Sequence, residues 1–161
     1  MIRKAELRDA QVITDLWNWC IRETTITFTS TPKPLAQISE WIETRHTNGH
    51  HFLVHEADGA VDGFVTSFPF RGGDGYARVI EHSVLLAKPA WGKGVGRALM
   101  EALCTRAKAD GIHSIMAGVS GDNPAGMNFH ASCGFEEVAR LREVGHKFDR
   151  WFDLVLMQKF L

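Results

Sequence analysis

Residues 91–100 read Trp-Gly-Lys-Gly-Val-Gly-Arg-Ala-Leu-Met, a glycine-rich turn that runs straight into an amphipathic helix. No other segment constrains the fold as strongly. Glycines at 92, 94 and 96 let the backbone turn tightly and approach a ligand without Cβ clashes. The first N–H groups of the helix have no intrahelical partner and lie at the positive end of its dipole, which suits a phosphate. Lys93 and Arg97 add formal charge at that end. Gly92, Lys93, Gly94, Val95, Gly96 and Arg97 together read as a pyrophosphate cradle.

The pattern on either side predicts a mixed α/β domain. Residues 2–5 read as a first strand, and Asp9 can cap a helix whose apolar positions are Ile13, Leu16, Trp17, Cys20 and Ile21. Thr24 to Thr31 is rich in β-branched residues, and Pro32 and Pro34 break the chain before a second helix over 35–47. Strands follow at 51–57 and 61–69, joined by Asp58-Gly59, and at 78–86 after the polar loop Arg71-Gly72-Gly73-Asp74-Gly75. The helix after the cradle carries Val95, Ala98, Leu99, Ala102 and Leu103 on one stripe and stops at Gly111. A strand at 114–119, a helix opened by Asn123-Pro124 and closed by Gly134, and strands at 135–144 and 152–160 complete the chain. The order β-α-α-β-β-β-α-β-α-β-β predicts one domain over 1–161, with about seven strands in a twisted, mostly antiparallel sheet and flanking helices.

Composition excludes several classes of function. With 18 basic and 19 acidic residues and a formal charge of −1, no general nucleic-acid or membrane surface is expected. Met1–Glu6 is charged from the outset and has no apolar h-region, so no secretory signal is expected. No apolar run approaches the roughly 18 residues that span a bilayer. Cys20, Cys104 and Cys133 are odd in number and far apart, which fits reduced thiols in a cytoplasm. His51 and His55 would share a face of one strand, but about 13 Å of strand separates such residues, too far for one metal ion. No metal site is expected.

The identity of the pyrophosphate follows from elimination and then from resemblance. A Walker loop needs Ser or Thr after the lysine, and Lys93 is followed by Gly94. A dinucleotide fingerprint needs Gly at 97, where the chain has Arg97. Coenzyme A remains. The element order and the 91–97 turn resemble the GNAT superfamily of N-acetyltransferases, whose acetyl-CoA loop reads Gln/Arg-x-x-Gly-x-Gly/Ala. Gly94 and Gly96 match it, whereas Trp91 stands where the family carries Gln or Arg. The helix from Asn123 to Gly134-Phe135 is similar to the family's downstream element. Glu23-Thr24-Thr25, Glu81-His82-Ser83-Val84, Gly92-Lys93-Gly94-Val95-Gly96 and the block from Gly145 to Leu154 resemble the phosphinothricin and methionine sulfone/sulfoximine N-acetyltransferase branch.

The resemblance implies acetyl-CoA as co-substrate, a small amino-acid analogue as acceptor, direct transfer in a ternary complex, and a homodimer. It implies Glu81 as the base that takes the amine proton, a role that chemistry requires of some carboxylate or water relay. Backbone N–H groups of Val84, Leu85 and Leu86 would hold the thioester carbonyl and pantetheine arm, each donor contributing roughly 3 kcal/mol in the transition state. His130 stands where many members carry a tyrosine that protonates the thiolate; a packed histidine is the other reading. A thiol with a pKa of about 8.5 leaves tolerably without an acid. Asn123 caps its helix and, by resemblance, also bonds the pantetheine; Ser132 matches a position that can touch CoA. The acceptor pocket would be built from Arg71, Gly72 and Gly73 together with Glu81, His82 and Ser83, covered by Phe28 of the same chain or of a partner subunit. Arg71 can pair with a carboxylate or phosphinate, or be a solvated loop residue. Gly72-Gly73 departs from the Pro-Phe of the branch and removes an aromatic wall. Two alternatives stand beside this reading: acetylation of another amine, such as a protein N-terminus, a polyamine or an arsenic-containing analogue, and a non-catalytic acyl-CoA sensor.

Overall fold

In the computed structural model, which describes residues 1–161, the sheet has seven strands. They are β1 (Ile2–Lys4), β2 (Phe52–Ala57), β3 (Ala60–Pro69), β4 (Val79–Leu86), β5 (Ser114–Ser120), β6 (Glu136–Lys147) and β7 (Arg150–Phe160). Their order is β1-β2-β3-β4-β5-β7-β6. Every neighbouring pair is antiparallel except β4 and β5. The helices are α1 (Ala10–Glu23), α2 (Leu35–Thr47), α3 (Val95–Ala109) and α4 (Pro124–Ser132). The expected element order and sheet type are those observed.

Strand alternation sorts the core into two layers. Phe52, Val54 and Phe64 face α1 and α2, where Ile13, Trp17, Ile21, Ile38 and Ile42 meet them. Leu53, Val65, Ile115 and Val155 point the other way and pack against Leu99, Met100 and Leu103 of α3. Along β4 the same rule puts Ile80, Val84 and Leu86 on the α3 side and Leu85 on the α1–α2 side. Glu81 and Ser83 therefore share the face of Leu85, and His82 that of Ile80.

Turn chemistry fixes the ends. Asp58 and Gly59 have φ of +50° and +79°, as a tight hairpin turn between β2 and β3 requires. Phe148 and Asp149, with φ of +50° and +56°, make the same kind of turn between β6 and β7, so both strands run further toward their shared turn than the residue pattern indicates. Asp9 does not cap α1 with its side chain. It is buried in a short turn before the helix, where it accepts two hydrogen bonds from Arg3, at 2.7 and 2.9 Å, and one from the Glu6 N–H. A nearby guanidinium gives the carboxylate stronger partners than the helix N–H groups.

Candidate active site

β4 and β5 part company in mid-strand. They pair only over Val79–Glu81 and Ser114–Met116, while β4 stays with β3 to Leu86 and β5 stays with β7 to Ser120. Past Glu81 the β5-facing edge of β4 has no strand partner. A cavity of about 820 Å³ opens at this fork. Its wall includes Glu81 to Leu86 on one side, Ala117 to Ser120 on the other, and Asn123, Gly126, Phe129 and His130 from the α4 region. Buried backbone polar groups need partners, so such an edge suits an extended amide-bearing ligand.

The glycine turn closes one end. Gly92 and Gly94 have φ of +71° and +79°, a conformation that side chains with a Cβ resist. A Cβ on Gly96 would stand 3.0 Å from the Phe129 ring and 3.3 Å from Leu86, so glycine lets α3 approach both. The first helical bond runs from Ala98 N–H to Gly94 C=O at 3.0 Å, which leaves the N–H groups of Val95, Gly96 and Arg97 for an anion. Gly92 and Gly96 line the cavity, whereas Lys93, Gly94, Val95 and Arg97 complete the turn behind them. Trp91 uses its indole N–H to bond the Leu86 carbonyl at 3.0 Å and packs edge-on to Trp19 of α1.

Glu81 sits at the crotch of the fork. It is half-buried, forms no ion pair, and lies against Gly118 of β5, where a Cβ would be 3.3 Å from its Oε1. Burial pushes its carboxyl pKa above the ordinary value. A carboxylate held in this way suits proton abstraction.

His82 and His130 meet from opposite sides of the cavity floor, with their Nε2 atoms 3.0 Å apart. His82 Nδ1 is 3.1 Å from the Met116 carbonyl oxygen, and His130 Nδ1 is 2.7 Å from that of Gly126. Carbonyls only accept, so each Nδ1 must carry a proton to donate, and the Nε2 contact needs a third. A neutral pair has two protons for three contacts. Burial, and then the neighbouring His130, push the His82 pKa down to about 3, and burial lowers that of His130. His130 turns Nδ1 to Gly126 and Nε2 to His82, and a neutral pair leaves the contact between the two Nε2 atoms without a proton. Asn123 caps α4 by accepting the Gly126 N–H at 2.9 Å, and Ser132 bonds the Phe129 carbonyl outside the cavity.

The acceptor side is walled by the segment after α1. Ile26, Thr27, Phe28 and Thr29 all line the cavity. Phe28 lies flat on Gly145, where any Cβ would overlap its ring, and stacks on Phe152 at 5.6 Å. Lys147 is 2% exposed and donates to the carbonyls of Thr24 and Thr27 at 2.7 and 2.9 Å. Arg71, Gly72 and Gly73 lie outside the wall. Gly73 takes φ of +102° and leads into a single turn that brings Tyr76 beneath Arg71, whose guanidinium lies 5.7 Å from the ring centre. Residue reasoning did not single out Lys33, Trp17, Trp19, Gly118 or Leu154, which do line the cavity. Gly118 carried a readable signal, since an isolated glycine inside a strand marks close approach.

The histidines that raised a metal question pair elsewhere: His51 with Asp110 at 2.8 Å and His55 with Asp62 at 2.6 Å. All three cysteines are free, and burial raises the pKa of Cys20 and Cys104. Only Cys20 reaches the cavity wall.

Residues 13–135 match the model of the Acetyltransferase (GNAT) family. An L-methionine sulfoximine/L-methionine sulfone acetyltransferase of Pseudomonas aeruginosa is 36% identical over 98% of this chain and 92% of its own. The crystal structure of a ribosomal-protein-alanine N-acetyltransferase from Brucella melitensis superposes with a TM-score of 0.97 at 36% identity, covering 100% of this chain and 99% of that one. A phosphinothricin acetyltransferase from Sinorhizobium meliloti, crystallised with acetyl-CoA, gives a TM-score of 0.96 at 30% identity, covering 100% and 88%.

Proposed function

The chain belongs to the acetyltransferase (GNAT) family, and we propose that it transfers acetyl from acetyl-CoA to the α-amine of a small amino-acid analogue. Phosphinothricin, methionine sulfone and methionine sulfoximine are the first acceptors in view, because the relatives that act on them match nearly the whole chain. The observation that carries the reading is the fork at Glu81, where a half-buried base candidate, an unpaired strand edge and a glycine turn line one cavity.

The chemistry then runs without an acetyl-enzyme. The acceptor ammonium gives one proton to Glu81, and the freed lone pair attacks the thioester carbonyl carbon. On the open edge the N–H groups of Val84 and Leu86 receive the developing oxyanion, whereas Leu85 turns its N–H to Phe64 of β3. The C–S bond breaks, the nitrogen loses its second proton, and CoA leaves. One amide, one thiol and one net proton are the products. The buried, raised-pKa Cys20 is a poor nucleophile, which favours direct transfer. With His130 bonded to Gly126 and packed on His82, thiolate departure rests on the low basicity of sulfur, and the two rings brace β4 against α4.

A homodimer in the cytoplasm fits this reading. Edge strand β6 and its hairpin to β7 expose Val138, Val144, Phe148 and Trp151, the last 62% exposed, and an apolar edge of this kind needs cover. No helix is long and apolar enough to cross a membrane. A second acceptor class, a protein N-terminal alanine, is favoured by the Brucella structure. Thiol release from acetyl-CoA with the three analogues and an alanine-terminated peptide separates the two: turnover of the analogues supports the first, turnover of the peptide alone the second.

A further inference from the structure

The reading above requires the cavity to recognise an acid as well as an amine, and this inference rests on it. Glu81 and Lys33 are the formally charged side chains of the wall. Lys33 lies between Pro32 and Pro34, and both its N–H and its C=O are clamped to Asn18 of α1. Its N–H donates to Asn18 Oδ1 at 2.7 Å, and its carbonyl accepts from Asn18 Nδ2 at 2.9 Å. The ammonium stands 5.1 Å from the ring centre of Trp17, itself a wall residue, and 4.6 Å from that of Trp41. No carboxylate pairs with it, and none pairs with Arg45, whose guanidinium lies 4.5 Å from the same Trp41 ring. Two cations without a counter-ion therefore flank one indole beside the cavity. Burial first, and Arg45 second, hold the Lys33 pKa below the ordinary lysine value. An anion seated there would relieve that tension.

We propose that Lys33 binds the α-carboxylate of the acceptor, with Arg45 reinforcing the positive field and Glu81 taking the amine on the same carbon. Acceptor specificity for α-amino acids over simple amines then comes from the α1–α2 connection. Arg71, set on Tyr76 outside the wall, is not the anion partner in this arrangement.

The test compares methionine sulfone with its carboxamide, which keeps the amine and loses the acid. The readout is the ratio of kcat/KM values for acid and amide in the wild type, Lys33→Met, Lys33→Gln, Lys33→Arg and Arg71→Ala. The expected result is an acid preference in the wild type that falls about tenfold or more in Lys33→Met and Lys33→Gln, a change worth about 1.4 kcal/mol. Lys33→Arg should restore part of it, and Arg71→Ala should keep the wild-type ratio. An unchanged acetyl-CoA KM in each variant shows that the fold is intact. An undiminished ratio in either uncharged Lys33 variant, or a collapse in Arg71→Ala alone, overturns the assignment. A wild type that turns over neither compound rejects the functional reading on which it stands.

Discussion

Glu81 differs from a surface carboxylate because burial, with no ion pair to offset it, favours its protonated form. As the proposed base it is active only when ionised, so kcat/KM should rise with pH through an ionisation above the ordinary glutamate value of about 4.3. Glu81→Gln should lose that limb and roughly 10²–10⁴-fold in kcat, read by initial rates across pH. Stability moves the other way. A folded-state pKa above the unfolded one gives stability that is present below the unfolded value and lost as pH rises through the folded value. Glu81→Gln, which resembles the protonated acid, should therefore melt higher than the wild type at about pH 8 and converge with it near pH 4. The His82–His130 pair makes a contrasting case. His82, held at a pKa of about 3, stays neutral through the working range and should add no inflection near 6.5. As a brace, His130→Ala should cost about 1–3 kcal/mol in denaturant melts and reduce kcat less than tenfold. Glu81 and His130 were legible in the chain through the resemblance of the blocks that hold them. The Nε2 contact between residues 48 positions apart was not, because no local pattern encodes it.

The elements show where reading along the chain succeeds and where it stops. Helix α2 appears at 35–47 as the prolines before it predict, and Gly92 and Gly94 of the glycine turn adopt the positive φ values that such a turn demands. The length of the β4–β5 pairing could not be read from either strand, because each is a regular strand toward its other neighbour. The two blocks Glu23-Thr24-Thr25 and Gly145 to Leu154 stood far apart in sequence with no visible link. Lys147 supplies it, since its buried ammonium holds the Thr24 and Thr27 carbonyls and Phe28 rests on Gly145. Lys147→Met should leave both carbonyls short of a partner, cost about 1–3 kcal/mol in a denaturant melt, and raise KM for the amine while leaving that for acetyl-CoA unchanged. Gly145→Ala, which intrudes on the Phe28 ring, should raise the same KM without removing the cation. Arg71 illustrates the opposite limit: the chain offered it either as an anion partner or as a solvated loop residue, and nothing local foretold that the turn at Gly73 sets it on Tyr76, outside the cavity wall.

At the scale of the molecule, two apolar layers leave one face of the sheet's end uncovered, the exposed edge of β6 with its Trp151 hairpin. If a second copy covers it, light scattering coupled to gel filtration should give twice the 18.0 kDa chain mass, and Trp151→Glu should shift it toward monomer. The central claim, however, is the chemistry at the fork. Its most direct measurement is CoA-thiol release from acetyl-CoA by the wild type and Glu81→Gln, with phosphinothricin, methionine sulfone and methionine sulfoximine as acceptors. The account predicts acceptor-dependent turnover by the wild type and its near-complete loss in Glu81→Gln with acetyl-CoA binding retained. Equal rates in the two proteins, or acetyl-CoA binding with no turnover of any acceptor, would contradict it.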